Sequence, residues 1–216
     1  MMRVFWDEWR GSRGFTAHRA FPTLAVATLA ALLGLVFQPG ALFEVVAAAS
    51  LVGGIVSGTQ GWNEVRSWDW VAREGVRPLA YLAGKVLGWT AVSLVWGLFL
   101  LPPLVLVALL WGFPGELVLV CWAWAWVGGL AAQALGHLVT WNAETGPFLG
   151  AALGLACLTL SLLLPVLQPL NPLWQVGRLV SAAEAPVEWG SLALVLGITG
   201  GLWAVRLPFL KGQGIP

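Results

Sequence analysis

Six stretches of the chain are apolar almost without interruption: roughly 21–38, 41–62, 86–111, 117–139, 148–167 and 189–210. About 20 apolar residues carry a helix across the ~30 Å hydrocarbon core of a bilayer. A barrel strand would alternate and be about half as long. The pattern therefore predicts six membrane-spanning helices. Polar residues gather in the gaps. Residues 63–85 hold the densest internal group of charges, and 168–188 is set off from its neighbours by Pro169, Pro172 and Pro186. In residues 1–20, Met2, Phe5, Trp6 and Trp9 share one helical face while Arg3, Asp7 and Arg10 share another. That pattern suits a helix lying in the membrane interface, or a basic flank that sets topology. Asp7, Glu8 and the lack of a small-residue cleavage site argue against a cleavable signal peptide.

Within the spans, Pro102 and Pro103 predict a kink or break in the third, because each lacks a backbone donor and crowds the preceding turn. Small residues four apart predict close helix contacts: Gly54, Gly58 and Gly61; Gly84 and Gly88; Gly146, Gly150 and Gly154; Gly197 and Gly201. Trp62, Trp68, Trp70 and Trp141 fall near one interface and Trp111, Trp174 and Trp189 near the other, as an aromatic belt would. Trp122, Trp124 and Trp126, spaced by two, are expected to point in different directions, toward lipid and packing partners. In 168–188, Asn171 is placed to cap a short surface helix that opens on Pro172, with Leu173, Val176, Val180 and Ala183 on one face and Arg178 and Glu184 elsewhere.

Composition agrees with the pattern. Of 216 residues, 59% are hydrophobic and 10% charged, with 15 Trp and 27 Gly. A soluble domain carries about 25% charged residues. The figures exclude a soluble globular protein, a disordered chain and a disulfide scaffold, and leave one membrane domain, 1–216. Net charge is +1, but its distribution is uneven. Arg3, Arg10, Arg13, Arg19, Arg66, Arg73, Arg77, Lys85, Arg206 and Lys211 fall on one side of a six-span layout, and Arg178 alone on the other. The positive-inside rule then predicts cytoplasmic termini in a multi-pass cytoplasmic (inner) membrane protein. Cys121 and Cys157 both lie in apolar runs with no His or Cys nearby, so a metal or redox pair is not expected.

Candidate chemistry is sparse. Glu44 stands near a span end, where it can snorkel to water. Gln60, Gln133 and His137 fall in the inner half of the bundle. Gln133 and His137 are one turn apart on a shared face, placed to line a polar cavity or to hydrogen-bond between helices. Glu144 sits in a short loop. Ser57-Gly58 with His137 could suggest an intramembrane serine–histidine dyad, but the run Gly54-Ile55-Val56-Ser57-Gly58 lacks the Gly-x-Ser-Gly order of a rhomboid-type protease, and Ser57 is better explained as a small packing residue. Leu79 stands where a P-loop's first Gly would be, and Gly84-Lys85 is followed by Val86, so the chain cannot cradle ATP phosphates itself. No haem, flavin or nicotinamide motif is present.

In 63–85, Val65, Trp68 and Ala72 recur at helical spacing, Arg66, Asp69 and Arg73 take another face, and Gly75 and Pro78 end the helix. Taken alone, such a segment is a topogenic loop or a protruding amphipathic helix. With Glu64, Pro78 fourteen positions on, and Gly84-Lys85 opening the third span, the chain resembles the membrane subunits of type-2 ATP-binding-cassette (ABC) exporters. Those have six spans, an N-terminal interfacial helix and cytoplasmic termini. Where that family often has Gly-Thr after the Glu, this chain has Ser67 and Trp68. The resemblance implies an all-α permease, not itself an enzyme, whose 63–85 segment docks on a separate cytoplasmic P-loop ATPase through Glu64, Arg66, Asp69, Trp70, Arg73, Glu74, Arg77 and Pro78. It implies ATP and Mg on that partner, no cofactor in this chain, a second permease copy or paralogue, and short outer helices that help close the exit path. A haem-exporter permease of cytochrome c maturation resembles the chain in length and span count. A membrane scaffold that transports nothing is the remaining alternative.

Overall fold

The computed structural model describes residues 3, 4, 6, 40–60, 75, 77–139, 146–182 and 186–205. Among these residues the structure is helical, with turns and no strands. The helices are α1 (Ala41–Gln60), α2 (Pro78–Trp111), α3 (Gly115–Val139), α4 (Gly146–Leu163), α5 (Pro172–Ser181) and α6 (Trp189–Ala204), with a 3-10 turn at Gln168–Leu170. Two helices, Leu79–Trp111 and Gly115–Leu138, are long and apolar enough to cross a membrane. Arg3, Val4 and Trp6 are helical too. The stretch 21–38 expected as the first span lies outside the described residues, as does the Gly61 end of the second.

Helix α2 begins at Pro78, not at residue 86. A proline suits the first position of a helix, where its missing donor is not needed, and it pushes the residue before it out of the helical region. Arg77 accordingly is extended, at φ −64° and ψ 137°. So Pro78 opens the helix that contains the stretch expected as the third span, and residues 78–85 are part of that helix rather than of a loop. The helix also continues unbroken through Pro102 and Pro103. Its 34 residues make a rod of about 51 Å. At its far end Gly112 takes a left-handed conformation (φ 71°), and the N–H groups of Gly112 and Phe113 both return to the Ala108 carbonyl. The Pro114 carbonyl accepts from Leu117 and Val118, which starts α3 at once. Phe113 seats this hairpin by meeting Phe43 edge-on, centroids 5.6 Å apart.

Helix α3 is the centre of the bundle and touches α1, α2, α4, α5 and α6. Its contact with α1 is made by backbone. A Cβ on Gly54 would collide with the Gly129 carbonyl oxygen, one on Gly58 with the Gln133 carbonyl oxygen, and one on Gly136 would stand 2.6 Å from the Ile55 carbonyl oxygen. The expected Gly54–Gly58 contact is thus internal packing. Lipid offers no hydrophobic drive between spans, so close approach and dispersion must hold them. The pairings rise together in number along both helices, so α1 and α3 run parallel. Ser93 near Gln133 and Gly97 beside Trp122 and Trp126 set α2 antiparallel to them.

The other glycine pairs divide. Gly84 and Gly88 are buried, whereas a Cβ on Gly197 or Gly201 would meet nothing within 4 Å. The tryptophans also divide, though not as their spacing by two suggested. Trp122 and Trp126, four apart, stack with planes 6° apart, and the Trp122 indole donates to the Gly97 carbonyl at 2.7 Å. Trp124, on the opposite side, is fully buried in the main core with Phe43, Leu104 and Val176.

Helix α5 packs against α1 and α3. Asn171 caps it, its side-chain oxygen accepting from the N–H groups of Leu173 (2.8 Å) and Trp174 (3.4 Å). Its buried face is Pro172, Gln175, Val176 and Leu179, with Leu173 and Val180 half-buried, so the buried stripe is rotated from the expected one. Ala183 and Glu184 lie outside the described residues.

The described charges separate by end. Arg3, Arg77 and Lys85 lie at the end where α1 and α3 finish, and Glu44, Glu116, Arg178 and Glu188 lie at the other. We call these the basic and acidic ends.

Replacing Gly54 or Gly58 by Ala is expected to cost about 1–3 kcal/mol, as overpacking does. Gly197→Ala and Gly201→Ala are expected to stay within about 0.5 kcal/mol. Denaturant unfolding of the four variants in detergent, followed by circular dichroism, checks the contrast.

Candidate functional site

Two sets of residues were singled out by sequence: the 63–85 segment and the polar group Gln60, Gln133 and His137. Of the first, Glu64, Arg66, Asp69, Trp70, Arg73 and Glu74 lie outside the described residues. Arg77 and Pro78 are present, at the very start of α2, and Arg77 is exposed. Gln60 closes α1, and its side chain lies outside the described set.

From Pro78 onward the site can be built. Tyr81, Lys85, Trp89 and Ser93 recur every four residues, which places them one above another on a single face of α2. The Lys85 ammonium lies 5.3 Å from the Tyr81 ring centroid and 5.7 Å from that of Trp89. Ring faces carry negative charge density and attract a cation, more so where water is excluded. Lys85 is 5% exposed. This placement departs from the expected one, in which Lys85 belonged to the polar loop.

Facing that stripe are α3 and α6. His137 meets Trp89 edge-on with centroids 4.9 Å apart, and tilts against Trp203 at 4.9 Å. Trp89 and Trp203 meet at 5.3 Å. Three rings from three helices therefore form a closed triangle at the basic end. Aromatic pairs in such edge-on geometries are worth about 0.5–1.5 kcal/mol each beyond burial. One turn away, the Ser93 hydroxyl donates to the Gln133 side-chain oxygen at 3.4 Å, a long bond. Gln133 and His137 are both buried, at 6% and 2% exposure. The structure brings them together and packs them between helices, with Gly58 of α1 against their backbone. Val4 joins the same cluster with Tyr81, Leu82, Ala134 and Trp203, while Arg3 and Trp6 are exposed. The face that the N-terminal residues turn toward the bundle is thus Val4, not Trp6.

Sequence reading missed Tyr81, Trp89 and Trp203 as site residues. The signal was present in the i, i+4 series of Tyr81, Lys85 and Trp89, but the charge of Lys85 divided that series between a loop and a span. Among the described residues no group of His, Cys, Asp and Glu is placed to hold a metal.

Mechanically, the cluster clamps the first three turns of α2 to α3 and α6. Any displacement delivered at Arg77 must move the clamp as one piece or open it. Trp203→Ala is expected to destabilise the protein by about 3–5 kcal/mol, the cost of deleting a buried aromatic. Gln133→Leu should cost only about 0.6 kcal/mol, the mean for a hydrogen bond between membrane helices. Unfolding in detergent micelles distinguishes the two. Comparison with protein-family models, curated proteins and solved structures gave no match.

Proposed function

We propose that the chain is the permease subunit of an ABC exporter in the cytoplasmic membrane, crossing it six times with both termini inside. Cytoplasmic P-loop ATPases bind and hydrolyse ATP with Mg, and a second permease copy or paralogue completes the path. The observation that carries this reading is the continuity of α2 from Pro78 to Trp111. A coupling segment is useful only if its motion reaches the far side of the membrane. Here a push at Arg77 enters a helix that continues for 34 residues, through Pro102 and Pro103.

Two further observations support it. Among the described residues the basic end gathers the cations Arg3, Arg77 and Lys85, and the acidic end holds one cation, Arg178, beside Glu44, Glu116 and Glu188, the cation asymmetry expected of a chain oriented by the positive-inside rule. Helices α1 and α3 run parallel with α2 antiparallel between them in sequence, as the second, fourth and third of six crossings must. On this reading ATP binding draws the ATPases together, the clamp around Lys85 carries their motion to α3 and α6, and the bundle switches between two packings rather than deforming gradually.

Mild-detergent purification of the tagged full chain is expected to recover a P-loop ATPase. The double variant Arg73→Glu, Arg77→Glu should lower its recovery about tenfold, as reversal of paired interface charges does. Its unfolding should stay close to wild type, because Arg77 is exposed. Absence of any P-loop protein from the purified sample, with activity intact in the double variant, would leave the scaffold alternative.

A further inference from the structure

Helix α5 is held to the bundle by a second polar system at the acidic end, unrelated to the clamp around Lys85. Its hub is Gln175, which is fully buried. The Gln175 side-chain amide donates to the Pro169 carbonyl at 2.7 Å and to a Glu188 carboxylate oxygen at 2.9 Å. Its side-chain oxygen accepts from Arg178 at 3.0 Å. Arg178 also donates to the Pro186 carbonyl at 2.9 Å, pairs with the other Glu188 oxygen at 3.3 Å and lies over the Trp174 ring at 5.4 Å. Ser191, in the first turn of α6, donates to Glu188 at 3.0 Å. A single carboxylate thus joins α5 to the start of α6, and the joint is polar where everything around it is apolar.

We propose that Gln175, Arg178 and Glu188 form a releasable latch that holds α5 closed over the acidic end of the bundle, so that breaking it frees α5 while the helices beneath stay packed. The role of a gate at the outer mouth rests on the exporter reading; the latch itself does not.

The rest of α5 is built for separation as one piece. Its underside meets α3 and α1 through shape: Pro172 lies over Gly128, and Val180 lies over Gly40. Such contacts can part without leaving a buried polar group behind. Among the described residues the helical part of α5 directs its bonds to Glu188, Pro169 and Pro186, while its cap Asn171 donates to the Ser161 hydroxyl of α4 at 2.6 Å, an anchor about which the freed helix would swing. Among the described residues the buried Arg178 Nε has no hydrogen-bond partner. The Glu188 carboxyl is held below the usual carboxylate range, first by the Gln175 amide and then by Ser191 and Arg178, with burial opposing them. A lowered carboxyl contributes stability that is complete above its unfolded value, about 4.3, and is lost as pH falls through the folded one. Arg178 is the titratable group facing it from α5. Glu44 of α1 lies over Gly177, and Glu116 opens α3 at the same end. Among the described residues α4 and α6 present no other charged group to it.

The test is hydrogen exchange on the full chain in nanodiscs, corrected for intrinsic rates. Glu188→Gln and, separately, Gln175→Leu are expected to speed exchange of the 172–181 amides about tenfold and to leave 115–139 unchanged. Acidification from pH 7 toward pH 3 is expected to raise exchange of the same amides in wild type and to change Glu188→Gln little. Unaltered exchange at 172–181 in both variants overturns the latch, as does an equal rise across 115–139 or an equal acid response in wild type and Glu188→Gln. A chain that shows the latch but recruits no ATPase keeps the latch and loses the exporter reading.

Discussion

Within a bilayer two helices gain nothing by hiding apolar surface from lipid, so what they gain must come from fit. In this protein the fit is between the bare backbones of α1 and α3. Gly54, Gly58 and Gly136 leave no room for even a methyl group against the facing carbonyls. Helix α3 makes its most extensive contact with α1 and also touches α2, α4, α5 and α6. The contact also fixes register. Sliding α1 by one residue would put Ile55 or Thr59 where Gly54 or Gly58 must be, so the two helices move together or not at all.

With that pair as a fixed body, the two ends acquire different characters. At the basic end the fastening is aromatic and cationic, drawn from Tyr81, Lys85, Trp89, His137 and Trp203 on three helices. Ring contacts of this kind tolerate small rotations, since their energy varies gently with angle. At the acidic end the fastening is a set of directional hydrogen bonds on one carboxylate. Those are either made or broken. The two ends of the bundle are thus fastened by interactions of different angular tolerance.

Much of the architecture was legible as hydrophobic run length, because a bilayer admits few other uses for 20 apolar residues. The glycine spacing of α1 and the Asn171–Pro172 start of α5 were legible for a similar reason: each residue type does one thing well there. The failures have a common cause. Pro78 was read only as the end of the segment before it, and it also opens α2. Lys85 was assigned to water by its charge, whereas two ring faces cover its ammonium. Gln175 was left off the buried face of α5, although its amide finds every partner it needs inside. Trp122 and Trp126 were separated by attention to the spacing of two, when the spacing of four brings them to one face. In each case the residue's own chemistry permits two placements, and the choice is made by a neighbour distant in sequence.

The length of α2 has one more consequence. Its apolar portion, residues 86–111, measures about 39 Å along the axis, against a hydrocarbon thickness near 30 Å. An upright rod of that length would drag the surrounding lipid into a thicker annulus. Leaning by about 40° relieves the mismatch completely, at the steep limit of what spanning helices adopt. Thin and thick membranes would therefore hold this helix at different inclinations, with lipid chain length setting its lean.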